Sequence, residues 1–390
     1  MIKDFVFGVG TSSLQIEESG EHDWKGLQAK DGSVLDRNAE HLKHWKEDYS
    51  LIKDLGVNAY RCSVDWSKLQ SSPYSELETK AVEKYQEMFQ YLKENKIDLF
   101  LVLHHFANPL WFTEKKGWKN KESIDVFKDF SVKATEAFKD YTNTIITMNE
   151  PMTDISLRYM TGFAPPKKKN AFFTGLVKAH GNMDEAHKQT YRAIKNEYPN
   201  KQVSFTEIQR PIEYHNNTFQ EKAIAKMMEY ITNERSRKNM MEYEKHPFAD
   251  FIGMQYYGPY SFNPKNPEDP LKYREDMKHD DLWEIDPHRI PLIAKKLKQR
   301  YNLPVYIMEH GVCTDEDSLR QKQIVETLNT IKLANKEEDI IKGYFHWSLL
   351  DNFELDKGTT YRFGLVNVDF NTMQRTPKTS YHTYKEMIKK

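Results

Sequence analysis

Cysteine is nearly absent: Cys62 and Cys313 are two thiols in a chain of 390 residues. Two cysteines cannot build a disulfide framework, and such scarcity fits a reducing compartment. Both read as small apolar fillers. An excess of one charge is also missing. Lys+Arg 57 against Asp+Glu 58 leaves a formal net charge of −1, so there is no basic footprint for nucleic acid or an anionic membrane. No apolar run of about 18 residues exists to cross a bilayer, and the opening MIKDFVFGVG lacks the apolar stretch of a signal peptide. A soluble cytoplasmic protein is expected. The sequon Asn216-Asn217-Thr218 is then a chance match, and Lys167-Lys168-Lys169, after Pro165-Pro166, a solvated loop. Neither G-x-G-x-x-G nor G-x-x-x-x-G-K-[ST] occurs, so nothing speaks for a nucleotide-binding open sheet. No H-E-x-x-H spacing suggests a metal site, and none is expected.

What the chain does contain is a series of short runs rich in β-branched and aromatic residues. There are eight: FVFGVGTSS from Phe5, NAYRCSVDW from Asn58, DLFLVLHH from Asp98, TIITMNEP from Thr144, QVSFTEI from Gln202, DFIGMQYYG from Asp250, PVYIMEHG from Pro304 and KGYFHWSLL from Lys342. Helical periodicity separates most of them. Val82, Tyr85, Phe89 and Leu92 share one face. So, nearly, do Leu319, Ile324, Leu328 and Ile331, behind possible N-caps at Asp315 and Asp317. Near-continuous apolar strands alternating with helices indicate a parallel α/β architecture buried on both faces. The count of eight favours a closed (β/α)8 barrel over an open sheet of six or seven strands. No interdomain linker is visible, so residues 1–390 read as a single domain. The polar stretch Phe262 to Pro287 reads as a long loop over the barrel mouth.

The runs share a habit: their C-terminal ends carry polar groups, His104-His105, Asn149-Glu150, Gln255-Tyr256-Tyr257 and Glu309-His310. In a barrel these ends converge on the face where active sites are built. Glu150 and Glu309 end the fourth and seventh runs, and closure would bring them face to face. Two facing carboxylates suit hydrolysis of a glycosidic bond, one protonating the leaving oxygen and the other attacking or activating water. Their mutual repulsion pushes the two pKa values apart. An isolated strand-end glutamate is more often a solvated or ion-paired group. His104 and His105 point to opposite faces of a strand, so His104 reads as structural, as does His180.

These blocks, in this order, resemble family 1 glycoside hydrolases, the β-glucosidase and β-galactosidase family. FVFGVGTSSLQIEES is similar to the family's opening strand, HWKEDYSLIKDLGVNAYRCSVDW to its second block and LVLHHFANPLWF to its third. TMNEP matches the acid/base motif, DFIGMQYYG the sixth-strand tyrosine block and YIMEHGV the nucleophile motif. GYFHWSLLDNFE, followed by YRFGLVNVD and RTPKTSY, is similar to the C-terminal signature. The resemblance implies a TIM barrel and a retaining double displacement without cofactor or metal. It implies Glu150 as general acid/base and Glu309 as nucleophile, with the carboxyls about 5–5.5 Å apart. Arg61 and Tyr257 would hold Glu309 ionised and oriented. Asn149 would bind the sugar 2-hydroxyl, and Gln15, His105 and Glu354 other hydroxyls. Trp347 would offer its ring face to the sugar. The partner is a small-molecule glycoside or oligosaccharide.

Four positions depart from the family pattern. Met308 precedes Glu309 where threonine is usual, and His310 follows it in place of asparagine. The sixth-strand asparagine is Gln255. Leu355 stands where a tryptophan N–H would reach the sugar, and leucine cannot donate. A lost donor of this kind costs about 1–3 kcal/mol when its partner stays unpaired. Glu354 would repel a 6-phosphate, so the expected substrates are unphosphorylated β-glucosides, β-galactosides or related β-glycosides. The alternatives are a catalytically weakened barrel that only binds glycosides, or a transglycosylase. The chain is also short for the family, which implies trimmed mouth loops.

Overall fold

Each of the eight apolar runs forms one strand of a closed parallel barrel. The computed structural model describes residues 4–169, 171–214, 218–243, 246–262, 271–272 and 278–389. The strands are β1 (Val6–Gly10), β2 (Ala59–Ser63), β3 (Asp98–His104), β4 (Thr144–Asn149), β5 (Gln202–Ile208), β6 (Ile252–Gln255), β7 (Val305–His310) and β8 (Ile341–Trp347). Their spatial order follows the sequence, and β8 closes on β1 through Gly10 opposite Trp347. The main helices are α1 (His41–Leu55), α2 (Thr79–Glu94), α3 (Ser123–Phe138), α4 (Pro151–Tyr159), α5 (Val177–Glu197), α6 (Phe219–Glu229), α7 (Arg289–Tyr301), α8 (Asp317–Glu337) and α9 (Thr379–Lys389).

Strand alternation sorts the core into two layers. Leu99, Leu101 and Leu103 of β3 face the helices, within a cluster that extends from Phe5 to Ile388. Phe100 and Val102 face inward, joining Ala59, Ile146, Phe251, Met308 and Phe345 in a plug inside the barrel. Packing this plug needs Gly8, because a Cβ there would lie 2.3 Å from the Phe345 ring. Outside, α2 buries Tyr85, Met88, Phe89 and Leu92, the i, i+3, i+4, i+7 stripe of an amphipathic helix. Cys62 and Cys313 are both buried and unpaired, as fillers should be. Among the described residues no helix is long and apolar enough to cross a membrane.

Two details differ from the sequence reading. Neither Asp315 nor Asp317 caps α8: the N-cap is Glu316, without a side-chain cap bond. Asp317 is instead the first helical residue, and its carboxylate accepts from Ser380 and Arg320. Ser380 of α9 and Arg320, one turn on in the same helix, claimed the carboxylate before the helix terminus did. The segment from Phe262 is also not wholly loop. Tyr260–Phe262 pairs with Ile212–Tyr214 and with Leu271–Lys272 in a small sheet outside the barrel. Residues 263–270 and 273–277 of that segment lie outside the described residues, as do Asn216 and Asn217 of the sequon. Lys167, Lys168 and Lys169 are all exposed.

Candidate active site

Period-2 alternation carries several polar side chains into the barrel mouth without any irregularity. Ala59 belongs to the interior plug, so Arg61 also points inward. Phe345 does likewise for Trp347, and Phe251 for Gln255 at the end of β6 and Tyr257 just beyond it.

Three other residues would point the wrong way in a regular strand. Met308 lies in the plug, so simple alternation would send Glu309 to the helices and His310 inward. The pairing of β7 slips between Ile307 and Glu309 against β6, and between Ile307 and His310 against β8. Glu309 thereby enters the mouth. In β4 a slip between Ile146 and Asn149 sends Met148 to the outer core and Asn149 inward. The third is His105, which faces inward just past the end of β3. Irregularities of this type re-aim side chains at barrel rims.

The turn after β4 is as special. Glu150 has φ 42° and ψ 59°, a left-handed conformation that is strained for a glutamate, and Pro151 opens α4 immediately after it. The Glu150 N–H is held by the Thr206 carbonyl at 2.9 Å. At the end of β7, Gly311 is required for a different reason. A Cβ there would sit 1.9 Å from the Trp347 carbonyl oxygen.

The side chains form two bonded groups, one around Arg61 and one around Gln15. Arg61, fully buried, donates from Nη1 to Glu309 Oε1 at 2.5 Å. Its Nη2 donates to Asn149 Oδ1 and, at 3.3 Å, to Thr206 Oγ1. Asn149 Oδ1 also accepts from Thr206 Oγ1 at 2.9 Å and Gln255 Nε2 at 2.7 Å. Three donors on that oxygen leave Asn149 Nδ2 free to face His105 Nε2, 3.1 Å away. His105 stacks on Trp347, ring centroids 6.0 Å apart. Tyr257 donates to Glu309 Oε2 at 2.7 Å. At the far side Gln15 Nε2 donates to Glu354 Oε2 at 3.2 Å and Asn352 Oδ1 at 3.1 Å. All nine residues singled out in the sequence thus converge on one end of the barrel.

Electrostatically the two glutamates are unequal. Burial, then the charge of Glu309, pushes Glu150 up to about 8, and the positive charge of Arg210 opposes this. Glu309 is also raised by burial, against the expectation that it would be held ionised outright. Here the Arg61 guanidinium and bonds from Tyr257, Arg61 and Gln255 all oppose the shift. The Arg61 guanidinium and the Tyr257 hydroxyl bond Glu309, whereas Glu150 has the Thr153 hydroxyl and no bonded cation among the described residues, so a shared proton belongs on Glu150. Glu354 is raised to about 8, by burial and then by Glu309. His105 is pushed well below its usual value by burial and then by Arg61, so it is a neutral imidazole. No cluster of three or more His, Cys, Asp or Glu that could hold a metal occurs among the described residues.

Arg61→Met is expected to lower unfolding free energy by about 3–5 kcal/mol, because it strands a buried carboxylate. Urea unfolding measures this. A loss below about 1 kcal/mol would mean that Glu309 is neutral in the folded protein.

Several site residues escaped the sequence reading. Thr206 holds both Arg61 and Asn149, and Glu207 and Arg210 flank Glu150. The fifth run, QVSFTEI, is followed directly by Gln209-Arg210, as polar as the strand ends that were noticed, and that signal was available. Trp283, stacked on Tyr257 at 4.9 Å, comes from the mouth segment and had no sequence signature. Two suspected departures do not touch the site. His310 faces the outer layer, with Nδ1 at the Tyr256 carbonyl and Nε2 3.1 Å from Thr327 Oγ1. Met308 is plug. Leu355, at φ 36°, packs beside Phe353, Trp24 and Phe106.

The sequence profile of glycosyl hydrolase family 1 matches residues 1–242 and 216–390. The chain belongs to that family. It is a glycoside hydrolase of family 1, and its relatives align along nearly their whole length. A curated β-glucosidase A of Thermotoga maritima is 29% identical over 434 aligned positions, covering 99% of this chain and 97% of the relative. Those 434 positions exceed the 390 residues here, so the relative has stretches without a counterpart in this family member. A 6-phospho-β-galactosidase of Leptotrichia buccalis is 27% identical, covering 99% of this chain and 97% of the relative. Among solved structures, the Thermotoga maritima β-glucosidase in complex with glucoimidazole superposes with a TM-score of 0.90. It is 27% identical over 99% of this chain and 98% of that one.

Proposed function

We propose that this family 1 enzyme is a cytoplasmic, single-domain retaining β-glycosidase hydrolysing unphosphorylated β-glucosides, β-galactosides or related small β-glycosides. The observation that carries the reading is the inequality of two buried glutamates at the ends of β4 and β7. Glu150 is pushed up to about 8, while every polar partner of Glu309 favours its ionised form.

In the first step Glu309 attacks the anomeric carbon. Glu150 gives its proton to the glycosidic oxygen as that bond breaks. In the second, Glu150 takes a proton from water, which attacks the same carbon and releases Glu309. Asn149, its amide oxygen held by three donors, offers Nδ2 to the sugar 2-hydroxyl. Trp347 supplies a ring face, and Gln15, His105 and Glu354 bind other hydroxyls. An unphosphorylated glycone is favoured because Glu309 is ionised at that end and Glu354, raised to about 8, adds further negative charge as pH rises past that value. The nearby Lys30 and Lys357 are already engaged with Asp356. The cytoplasmic location is supported by two buried, unpaired cysteines.

A panel of aryl β-glycosides differing at C2, C4 and C6 tests the reading. Turnover of at least one β-gluco or β-galacto substrate is expected, with retained configuration. A bell-shaped kcat/KM profile is also expected, which reports groups of the free enzyme. Glu150 must be protonated, so activity falls as pH rises past about 8. Glu309 must be ionised, and its raised pKa places the acid limb above the ordinary glutamate value of about 4.3. An alkaline limb in the ordinary carboxylate range contradicts the assignment of the acid.

A further inference from the structure

Arg210 follows β5 and, beyond its charge acting on Glu150, has no role in the bond-making and proton transfers described above. Its backbone is clamped by Asn233, whose Oδ1 accepts the Arg210 N–H at 2.9 Å and whose Nδ2 donates to the Arg210 carbonyl at 2.7 Å. Its guanidinium lies over the Tyr260 ring, 5.5 Å from the centroid. The Tyr260 hydroxyl accepts from Trp283 Nε1 at 2.8 Å, and Trp283 stacks on Tyr257, the residue bonded to Glu309. Arg210 therefore sits on the aromatic wall that runs out of the site.

Two further features give this arginine its meaning. The guanidinium has no ion-pair or hydrogen-bond partner among the described residues, and its Nε is buried and unbonded. An arginine so placed has unspent donors, and its planar fork suits a carboxylate, sulfate or phosphate. The carboxyl that feels it is Glu150, which also faces Glu309 and Glu207. Arg210 follows β5, the neighbour of β4 with Glu150 at its end, whereas Gln15 follows β1 and Glu354 follows β8, which pair with each other elsewhere in the barrel. The cation is thus on the side of the proton donor, away from the Gln15 and Glu354 end, and the proton donor faces the leaving group.

We propose that Arg210 is a specificity determinant for β-glycosides whose aglycone carries an anionic group. This rests on the glycosidase reading and deepens it. The mouth is then polarised. Its glycone end carries the carboxyls of Glu309 and Glu354, and its aglycone end presents a guanidinium held ready by Asn233 and Tyr260.

The test compares 4-carboxyphenyl β-glucoside with its methyl ester and with 4-sulfophenyl β-glucoside, using the whole enzyme. The carboxylate is expected to exceed the ester in kcat/KM by about tenfold, the scale of one charge-assisted hydrogen bond. That preference should shrink as salt rises. Arg210→Gln is expected to bring the ratio to about one, while Arg210→Lys keeps part of it. The sulfonate tells whether the site reads any anion or carboxylate geometry. Turnover of the ester without preference for the carboxylate overturns this inference and leaves the glycosidase reading standing. So does a preference that survives in Arg210→Gln. Absence of turnover on all three glucosides and on the wider aryl glycoside panel overturns both.

Discussion

Replacing Glu309 with glycine is expected to cut kcat/KM on aryl β-glycosides by about 10⁴-fold or more, a loss of the size seen when a nucleophile is removed. The physical reason is that the glycosyl-enzyme bond has no other carboxylate to form on. In the proposed mechanism Glu150 serves the leaving oxygen and Glu354 the sugar-binding end. Added azide should restore turnover of an aryl glycoside with a good leaving group. It would fill the space left by the side chain and attack the anomeric carbon from the face Glu309 used. The product is then an α-glycosyl azide, inverted once. Loss of activity without rescue would be ambiguous, because the same change empties the Arg61 guanidinium of its partner. Circular dichroism and urea unfolding of the variant separate a missing nucleophile from a damaged barrel. Recovery of a β-glycosyl azide from this variant would falsify the assignment.

Glu150→Gln is expected to divide substrates by their leaving groups. Glutamine keeps the shape of the side chain and cannot give up a proton. For an alkyl or disaccharide leaving group, kcat/KM should fall by about 10²–10⁴-fold, the usual worth of a positioned general acid. For 2,4-dinitrophenyl glycosides, whose leaving group departs without protonation, kcat/KM should change by no more than about tenfold. The alkaline limb attributed to Glu150 should vanish with the substitution. Equal losses on both substrate types would mean that Glu150 acts on something other than the leaving oxygen. The variant should fold normally, since the left-handed turn is held by backbone bonds, from the Glu150 N–H to the Thr206 carbonyl and from Asp154 N–H to the Glu150 carbonyl.

All eight strands were legible in the sequence because a strand buried on both faces must be apolar throughout, and short β-branched runs have few other uses. The positions of Arg61, Gln255, Tyr257 and Trp347 in the mouth were legible as well, since regular alternation carries them there. The network around Asn149 was not. Thr206 looks like any strand threonine until β4 and β5 are paired and its hydroxyl is found between Arg61 and Asn149. Nor could the substitutions beside Glu309 be weighed from sequence. Met308 and His310 flank a catalytic motif and looked chemically costly, yet one fills the plug and the other bonds the outer layer.

The order of apolar runs and their polar ends determined the barrel and placed Glu150 and Glu309 on one face of it. Which way the critical side chains point was decided by the tertiary structure alone. Alternation is a local rule, and it would have turned Glu309 toward the helices. The slips in β4 and β7 arise where a strand is paired on both sides, so they exist only once its neighbours are in place. The same holds for charge. A glutamate's pKa depends on what surrounds it, and the unequal surroundings of Glu150 and Glu309 form only when the barrel closes.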